Sequence, residues 1–497
     1  MATGVWISLC LYFALMIGIG IYAWARSTGS SEQYMLGGRR LSPAVASLSA
    51  GASDMSGWLL LGLPGALYVS GLASAWIGIG LFVGALFNWI IVAPRLREQT
   101  ERYDNALTIP QFLSKRFPSR AMALRVVSAV IIVVFFSVYT ASGLVAGGKL
   151  VQSAFSGAVN VAGVSDYAVG VWGTLAVVLA YTVVGGFMAV SLTDFCQGVI
   201  MMLALIIMPS VVLFGAGGGG YSQASATLAQ VDPNFLSWTD GLTLVGWLSA
   251  VTWGLGYFGQ PHIIVRFMAI RSVAEVPRAR NIGMTWMAIS LIGAVSLGVF
   301  GRAYAVRNDM NIGDPETIFI VLADLLFNPL VTGFLFAALL AAIMSTVSSQ
   351  LLVASSSLTE DFYRLFLRRE ASERESVTVG RISVIVVGLI AALIASNPSS
   401  NVLGLVSHAW AGFGAAFGPL IILSLVWSRM SGTGAVAGLV AGAATVAVWI
   451  MLGWDKSFLG GPGVYEIMPG VAAAYLAIYI VSRATRSSGE FRPLPSS

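Results

Sequence analysis

A single carboxylate, Asp54, lies near the middle of an apolar stretch that is long enough to cross a membrane. A charged side chain at that depth costs about 2.5–3.5 kcal/mol on insertion scales and therefore needs a partner. Asp54 can attract a cation, or it can cap the helix that starts near Gly57. The two roles are compatible because a carboxylate has several lone pairs. We expect Asp54 to take part in cation binding.

Two adjacent hydroxyl residues, Ser345 and Thr346, lie inside another long apolar run, three and four residues after Ala342. On a helix this spacing brings the Ala342 carbonyl and both hydroxyls onto one face. Hard cations such as Na⁺ take oxygen ligands of this kind, and unwound backbone at Ala52 and Met55 could supply the other oxygens. From spacing alone, the simpler interpretation is that both hydroxyls bond back to the preceding helical turn.

Aromatic residues accompany these polar groups. Trp253 and Tyr257 are four residues apart, which on an α-helix places them on one face. Trp58 follows Asp54 closely, and Tyr139 lies in the middle of a further apolar run. Such rings could enclose an apolar ring or face an ammonium group, although Trp and Tyr in membrane helices more often serve packing or anchoring. Pro261 ends a helix and frees carbonyl groups upstream.

Two breaks in the apolar runs stand at matching points of the two halves of the chain. The first lies in SAGASDMSGWLLLG (49–62) and the second in TWGLGYFGQPHIIV (252–265). Each has a Gly-rich or Pro-bearing centre with apolar helix on both sides. Broken backbone deep in a membrane is tolerated only where it is buried or lines a cavity. Such a pair of breaks indicates the central binding site of a transporter.

The remaining polar residues in apolar runs give weaker signals. Asp194 stands at the start of a run, and we favour a helix N-cap for it over a role in ion exit, which stays the alternative. His262 is interpreted as a hydrogen-bonded packing residue rather than a proton relay. Cys10 and Cys196 lack the spacing of a disulfide framework or metal site. No phosphate loop, nucleophile elbow or metal-ligand cluster appears, so the sequence does not support an enzyme.

The composition is that of an all-α polytopic membrane protein. Of the 497 residues, 57% are hydrophobic and 10% are charged, whereas a soluble chain carries about 25% charged residues. The net charge of +5 comes mostly from the loops between apolar runs and does not indicate nucleic-acid binding. Apolar runs of sufficient length predict about 13 transmembrane helices. The predicted spans are 5–25, 41–69, 73–94, 122–152, 167–185, 189–215, 239–261, 280–303, 329–357, 377–396, 399–427, 432–453 and 467–483.

The basic residues predict the orientation of these spans, because cytoplasmic loops of membrane proteins are enriched in Lys and Arg. With the N-terminus outside and the C-terminus inside, the cytoplasmic segments hold all but four of the 27 Lys and Arg residues. Among the connections, 95–125 is predicted to be a cytoplasmic loop with a short helix. Residues 216–237 are predicted to be an external loop, and 308–328 an amphipathic external helix.

At these residues the chain resembles the sodium/solute symporter family, over almost its full length. That family implies 13 helices with the N-terminus outside, and a leucine-transporter-like five-plus-five inverted repeat with a broken first helix in each repeat. The resemblance is carried by the motifs ASDMSGWLLLGLPG (52–65), YTVVGGFMAV (181–190), GLGYFGQPHIIVRFMAI (254–270) and AAIMSTVSSQLLVASSSLTEDFY (341–363).

The resemblance also divides the chain. It implies one membrane transport domain over residues 1–497. Its first repeat is 41–215 (spans 2–6), its second repeat is 239–427 (spans 7–11), and 5–25 and 432–483 are peripheral.

The ligands come from the resemblance as well. It is strongest to members that carry L-proline, and it implies Na⁺-coupled uptake across the bacterial cytoplasmic membrane, with no organic cofactor and no evident obligate protein partner. The alternatives are a symporter of another small solute, such as another amino acid or pantothenate, and a transporter-like nutrient sensor. The implied Na⁺ ligands are Ala52, Met55, Ala342, Ser345 and Thr346, with Asp54 in support. The implied solute-binding residues are Ser56, Gly57, Trp58, Tyr139, Trp253, Tyr257 and Pro261.

Overall fold

The computed structural model describes residues 2–25, 31–157, 163–368 and 370–485. Within them the chain forms nineteen α-helices and one two-residue β-hairpin, Ser457–Phe458 with Gly461–Pro462. The helices of the first half are α1 Thr3–Ala25, α2 Ser31–Leu36, α3 Pro43–Asp54, α4 Leu63–Ser70, α5 Ala75–Phe87, α6 Ala93–Arg102, α7 Ile109–Arg116, α8 Ala121–Ala154, α9 Asp166–Phe214 and α10 Gly220–Val231. The helices of the second half are α11 Leu244–Val251, α12 Pro261–Ala269, α13 Val276–Arg307, α14 Ile318–Leu326, α15 Pro329–Ser357, α16 Glu373–Ile394, α17 Val402–Val426, α18 Gly432–Met451 and α19 Ile467–Ala484.

Eleven helices among the described residues are long and apolar enough to cross a membrane, which confirms the all-α polytopic class. Two other predicted spans are broken into pieces that are each too short to span alone. The span 41–69 contains α3 and nearly all of α4, and the span 239–261 contains α11 and a 3₁₀ segment and ends where α12 begins. Thirteen crossings therefore stay a prediction. The two predicted spans 167–185 and 189–215 correspond to two membrane-length helices, Asp166–Val183 and Gly186–Phe214, which together make up α9 and meet at a kink at Gly186, where φ is +61°.

The spans differ in how far they are enclosed. The most apolar stretch of α17 is 83% buried and that of the helix containing α15 is 78% buried, whereas the corresponding stretch of α1 is only 22% buried. The helices α15 and α17 therefore form the centre of the bundle. α1 lies at its edge, as predicted for the first span.

The first break follows directly from local sequence. Ser42 accepts a hydrogen bond from the Val45 N–H and Pro43 occupies the first helical position, which together start α3. The helix ends at Asp54, and the backbone of Met55 leaves helical geometry with φ −80° and ψ 77°. A wider π-helical turn, Trp58–Gly62, then leads into α4. The residues Met55, Ser56 and Gly57 thus separate α3 from the helical segment that leads into α4.

The second break is longer. After α11 the chain tightens into a 3₁₀ helix, Thr252–Gly259, and Gln260 is extended before Pro261 starts α12. A 3₁₀ helix has 3.0 residues per turn, so residues four apart lie about 120° from each other around its axis. The prediction that Trp253 and Tyr257 share one face was wrong for this reason.

The connections between spans were partly predicted. The basic segment 95–125 contains the short helix α7, and the segment 308–328 contains the helix α14, both as expected. The segment 216–237 was wrongly predicted to be a loop, because it contains the twelve-residue helix α10. The glycines that suggested a loop mostly precede this helix, whose remaining residues include the good helix formers Ala, Leu and Gln.

Candidate ion and solute site

Four oxygen atoms converge where the first break meets α15. The Ser345 Oγ lies 2.7 Å from the Ala52 carbonyl and 3.2 Å from the Ala342 carbonyl. The Thr346 Oγ1 lies 3.3 Å and 3.2 Å from the same two carbonyls. The expected back-bonding to Ala342 therefore occurs, and both hydroxyls also reach across to α3. Met55 directly follows the end of that helix.

Asp54 is buried beside this cluster, 2% exposed. Its Oδ2 accepts a hydrogen bond from the Tyr257 hydroxyl, and its Oδ1 has no hydrogen-bond partner among the described residues. The alternative interpretation as a helix cap was wrong, because the Asp54 carboxylate accepts its hydrogen bond from the Tyr257 hydroxyl and none from the backbone after the break. The carboxylate thus keeps one oxygen without a hydrogen-bond partner among the described residues, two residues along the chain from the Ala52 carbonyl of the oxygen cluster.

Three of the predicted solute residues meet at Asp54. Its backbone carbonyl accepts hydrogen bonds from the Trp58 indole, at 3.1 Å, and from the Tyr139 hydroxyl, at 3.3 Å, while Tyr257 contacts its side chain. These donors satisfy a carbonyl that the broken helix leaves without its normal partner. The first break and three aromatic residues thus form one connected group.

The other predicted solute residues surround this group at different places. The Ser56 Oγ is 3.4 Å from the Trp58 backbone nitrogen. A Cβ atom at Gly57 would come within 2.9 Å of the Ala146 Cβ, so α8 packs directly against the backbone there. Trp253 does not contact Asp54, and its indole stacks on Tyr465. Pro261 occupies the first position of α12.

Three residues that the sequence analysis missed hold the second break. The Trp410 indole donates to the Trp253 carbonyl at 2.7 Å, and the Gln260 amide lies 3.2 Å from the Gly256 carbonyl. The Asn88 amide donates to the Tyr257 carbonyl at 3.1 Å. Side-chain donors are needed because hydrogen-bond geometry in a 3₁₀ helix is poor. The signal that could have found them is an amide group inside an apolar run, Asn88 and Gln260.

A small cavity of about 20 Å³ lies between α3, α5, α13 and the second break. Asp54, Asn88 and Tyr257 line it together with apolar and aromatic residues of α13. The Oδ1 atom of Asn88, like that of Asp54, has no hydrogen-bond partner among the described residues. A cavity of this size holds about one water-sized group.

Glycines bring α5 and the second break into direct backbone contact. A Cβ atom at Gly84 would lie 2.1 Å from the Gly254 carbonyl oxygen, and one at Gly254 would lie 2.2 Å from the Gly80 carbonyl oxygen. No larger residue fits at these three positions without moving the backbone. The contact places Asn88, one turn further along, beside Tyr257.

Asp194 does not cap a helix. It lies inside α9, two turns beyond the bend at Gly186. Its Oδ2 accepts from the Ser49 hydroxyl at 2.8 Å, from the Arg266 guanidinium at 3.2 Å and from the Ser349 hydroxyl at 3.3 Å. The favoured N-cap interpretation was therefore wrong. Asp194 belongs to a fully buried ion pair that links α3, α9, α12 and α15.

His262 is a packing residue, but it is not hydrogen-bonded as predicted. Its ring packs edge-on against Phe136 and Tyr139, with centroid distances of 5.4 Å and 5.6 Å. Neither ring nitrogen has a hydrogen-bond partner among the described residues, although the side chain is fully buried. The aromatic environment supplies packing surface and no acceptor.

Three proline transporters are similar in sequence to this chain over nearly its full length. It is 50% identical to the osmoregulated proline transporter OpuE of Bacillus subtilis, over 97% of this chain and 94% of that protein. It is 51% identical to the high-affinity proline transporter PutP of the same species, over 96% and 97%. It is 47% identical to a sodium/proline symporter of Staphylococcus aureus, over 98% and 94%.

Solved structures support the predicted fold. A Na⁺-coupled sialic acid symporter, in a substrate-bound outward-open state, matches 99% of this chain and 100% of its own length, with a TM-score of 0.79 at 20% identity. The nucleobase-cation-symport-1 family transporter Mhp1, in a closed conformation, matches 94% and 98%, with a TM-score of 0.56 at 13% identity. These matches confirm the leucine-transporter-like fold.

The family follows from the extent of these matches. The model of the sodium:solute symporter family covers residues 34–442, which include both breaks and the oxygen cluster. The relatives are about half identical over almost their full lengths. The chain therefore belongs to the sodium:solute symporter family.

Proposed function

We propose that this protein couples the inward movement of Na⁺ to the uptake of L-proline across a bacterial cytoplasmic membrane. The observation that carries the proposal is the cluster of four oxygens between the broken helix α3 and α15, beside a buried carboxylate and three aromatic residues. The names of three relatives at 47–51% identity support proline as the solute.

The sodium ion would bind in the oxygen cluster. Hydroxyl and carbonyl oxygens suit a hard monovalent cation, and the hydroxyls of Ser345 and Thr346 can rotate to present lone pairs to it. Asp54 supplies the negative charge nearby. The proposed ligands are the carbonyls of Ala52, Met55 and Ala342 and the hydroxyls of Ser345 and Thr346.

The solute would bind between the two breaks. Its carboxylate suits the free N–H groups after the first break, where a helical segment begins and its dipole is positive. Its five-membered ring suits the faces of aromatic residues, and its ammonium group can be held by cation–π attraction. The proposed contacts are Ser56, Gly57, Trp58, Tyr139, Trp253, Tyr257 and Pro261.

Sodium binding would affect solute binding through the backbone of the first break. The ion would tie the end of α3 to α15 and thereby fix the backbone that receives the solute. We propose that 41–215 and 239–427 act as the two inverted repeats, with the N-terminus outside and the C-terminus inside. Release of the ion past Asp194 stays a prediction, because that carboxylate is paired with Arg266.

The available driving force is sufficient for accumulation. One charge that crosses 100 mV contributes about 2.3 kcal/mol, and a tenfold Na⁺ gradient adds about 1.4 kcal/mol. With one Na⁺ per solute, roughly 3.7 kcal/mol would hold a several-hundred-fold proline gradient.

The test is uptake of labelled L-proline by proteoliposomes that contain the purified protein. We expect uptake against a gradient when Na⁺ is imposed outside, and only slow equilibration when K⁺ replaces it. Na⁺-driven uptake of another amino acid or of pantothenate, but not of proline, would support a Na⁺-coupled symporter and contradict proline as its solute. Proline binding without transport would favour a nutrient sensor.

A further inference from the structure

The indole of Trp253 is held by a residue outside the two proposed repeats. Tyr465 lies two residues before α19, one of the proposed peripheral spans, and only 8% of it is exposed. Its ring stacks on Trp253 with centroids 5.1 Å apart and planes inclined by 24°. A peripheral span therefore reaches one of the proposed solute residues.

Tyr465 is fixed by hydrogen bonds to two different helices. Its backbone N–H donates to the Ser249 hydroxyl of α11 at 3.2 Å, and its own hydroxyl donates to the Ser407 carbonyl of α17 at 2.9 Å. The next residue, Glu466, lies 2.7 Å from the His408 Nδ1, which adds a second link to α17. The ring cannot swing away from Trp253 without breaking its own hydroxyl bond.

The backbone and the side chain of Trp253 thus have different supports. Trp410 binds its carbonyl, whereas Tyr465 packs on its indole. Aromatic pairs in this geometry favour one relative orientation, beyond the area that they bury. An indole with a fixed position defines how far a solute ring can extend toward it.

We propose that Tyr465 is a specificity-determining positioning residue, which holds the Trp253 indole in place and thereby sets the affinity for proline and the largest solute ring that the site accepts. This inference rests on the proposed function, and in particular on Trp253 forming part of the solute site. It assigns a role in solute selection to the segment before α19, which lies outside the two proposed repeats.

The experiment compares Tyr465, which lies before α19, with Tyr479, which lies within the same helix. Tyr465→Leu removes the stacking ring and keeps apolar bulk, while Tyr465→Phe keeps the ring and loses the bond to Ser407. The matched control is Tyr479→Leu, because Tyr479 stacks on Trp427 with centroids 5.9 Å apart and planes inclined by 20°, but at the exposed surface. Equilibrium binding of L-proline and of its six-membered homologue L-pipecolate is measured on purified protein at saturating Na⁺.

We expect Tyr465→Leu to raise the Kd for proline about 3- to 10-fold. The Kd for pipecolate should rise less, because a loosened indole makes room for the larger ring. The ratio of the pipecolate Kd to the proline Kd should therefore fall at least about twofold. Tyr465→Phe should stay within about twofold of the wild type. Tyr479→Leu and the Na⁺ affinity measured without solute should not change.

An unchanged ratio in folded Tyr465→Leu, with a changed ratio in Trp253→Leu, would overturn the inference. Equal losses of proline and Na⁺ affinity would also overturn it, since they indicate a purely structural role. If Tyr465→Leu does not fold, Ser249→Ala loosens Tyr465 without altering its ring, and an unchanged ratio there counts against the inference. Wild-type protein that does not bind proline would instead contradict the proposed function.

Discussion

The two breaks of this transporter differ in length and in what holds them. The first is abrupt, since α3 ends at Asp54 and a helical turn resumes at Trp58. It is held by hydroxyl, indole and phenol donors that converge on the carbonyls of Ala52 and Asp54. The second extends over eight residues of 3₁₀ helix and is held by buried amide and indole donors, by aromatic packing and by glycine contacts.

This difference indicates that the two breaks bind different ligands. An abrupt break concentrates free carbonyl oxygens at one point, which is what a small cation requires. A long, tightly wound break spreads side chains in three directions around its axis, which suits a solute with several chemical groups. We therefore expect substitutions at the oxygen groups of the first break and α15 to alter mainly the sodium dependence, and substitutions at the second break to alter mainly the solute dependence.

Asp54→Asn should have the largest effect and lower Na⁺-driven proline uptake by about 100-fold or more, because the cluster loses its nearby formal charge. The amide oxygen can still accept the Tyr257 hydrogen bond, so the fold of the break should remain. Initial uptake rates in proteoliposomes measure this effect. Asp324→Asn, at an exposed carboxylate on α14, is the control. Near-normal uptake by Asp54→Asn would mean that an uncharged hydrogen-bond acceptor is sufficient.

Ser345→Ala and Thr346→Val should each raise the half-saturating Na⁺ concentration about tenfold, because each removes one oxygen from a buried polar cluster. Protein level and the proline Kd at saturating Na⁺ should change much less. The control is Ser355→Ala, since the Ser355 hydroxyl on the same helix bonds back to Leu352. If both variants keep the wild-type sodium dependence, the oxygen cluster is not the ion site.

Tyr257→Phe sharpens the comparison because Tyr257 belongs to the second break and contacts Asp54 at the first. The ring remains and the hydrogen bond to the carboxylate is lost, so the half-saturating Na⁺ concentration should rise about fivefold. The proline Kd at saturating Na⁺ should stay within about twofold. A loss confined to proline affinity would show that the hydroxyl serves the solute and not the carboxylate.

Trp410→Phe should have the smallest effect and raise the proline Kd about 2- to 5-fold, because it removes the donor to the Trp253 carbonyl and keeps a ring beside Tyr257. Sodium binding without solute should not change. Trp449→Phe is a matched control, since the Trp449 indole also donates to a backbone carbonyl, that of Val464, away from the site. If Trp410→Phe and Trp449→Phe have equal effects, the Trp410 hydrogen bond has no specific role in holding the second break.

The sequence analysis succeeded where a local signal was strong. The predicted span 329–357 coincides with α15, because Asn328 caps the helix and Pro329 starts it. The two breaks and the hydroxyl pair were visible because polar or glycine-rich residues interrupt apolar runs. Ser345 and Ala52, two of the implied Na⁺ ligands, lie 2.7 Å apart between the Ser345 Oγ and the Ala52 carbonyl oxygen, and ion binding there stays a prediction.

The errors arose where partners are distant in sequence or where the helix type changes. The 3₁₀ geometry placed Trp253 and Tyr257 on different faces, which no i, i+4 rule could predict. Asp54 and Asp194 bind partners 203 and 72 residues away instead of neighbouring backbone. Trp410 and Tyr465 are ordinary aromatic residues of apolar segments until the fold brings them to the second break.

The glycine contact between α5 and the second break restricts where this molecule can bend. Gly80 and Gly84 meet Gly254 backbone against backbone, so there are no side-chain rotamers between the two segments that could adjust to a displacement. We expect them to travel as one rigid body during transport. Glycines also join the break to α17, where Gly256 and Gly259 meet the backbone around Gly414, so the hinge of the transport cycle should lie outside the unit that α5, the second break and α17 form.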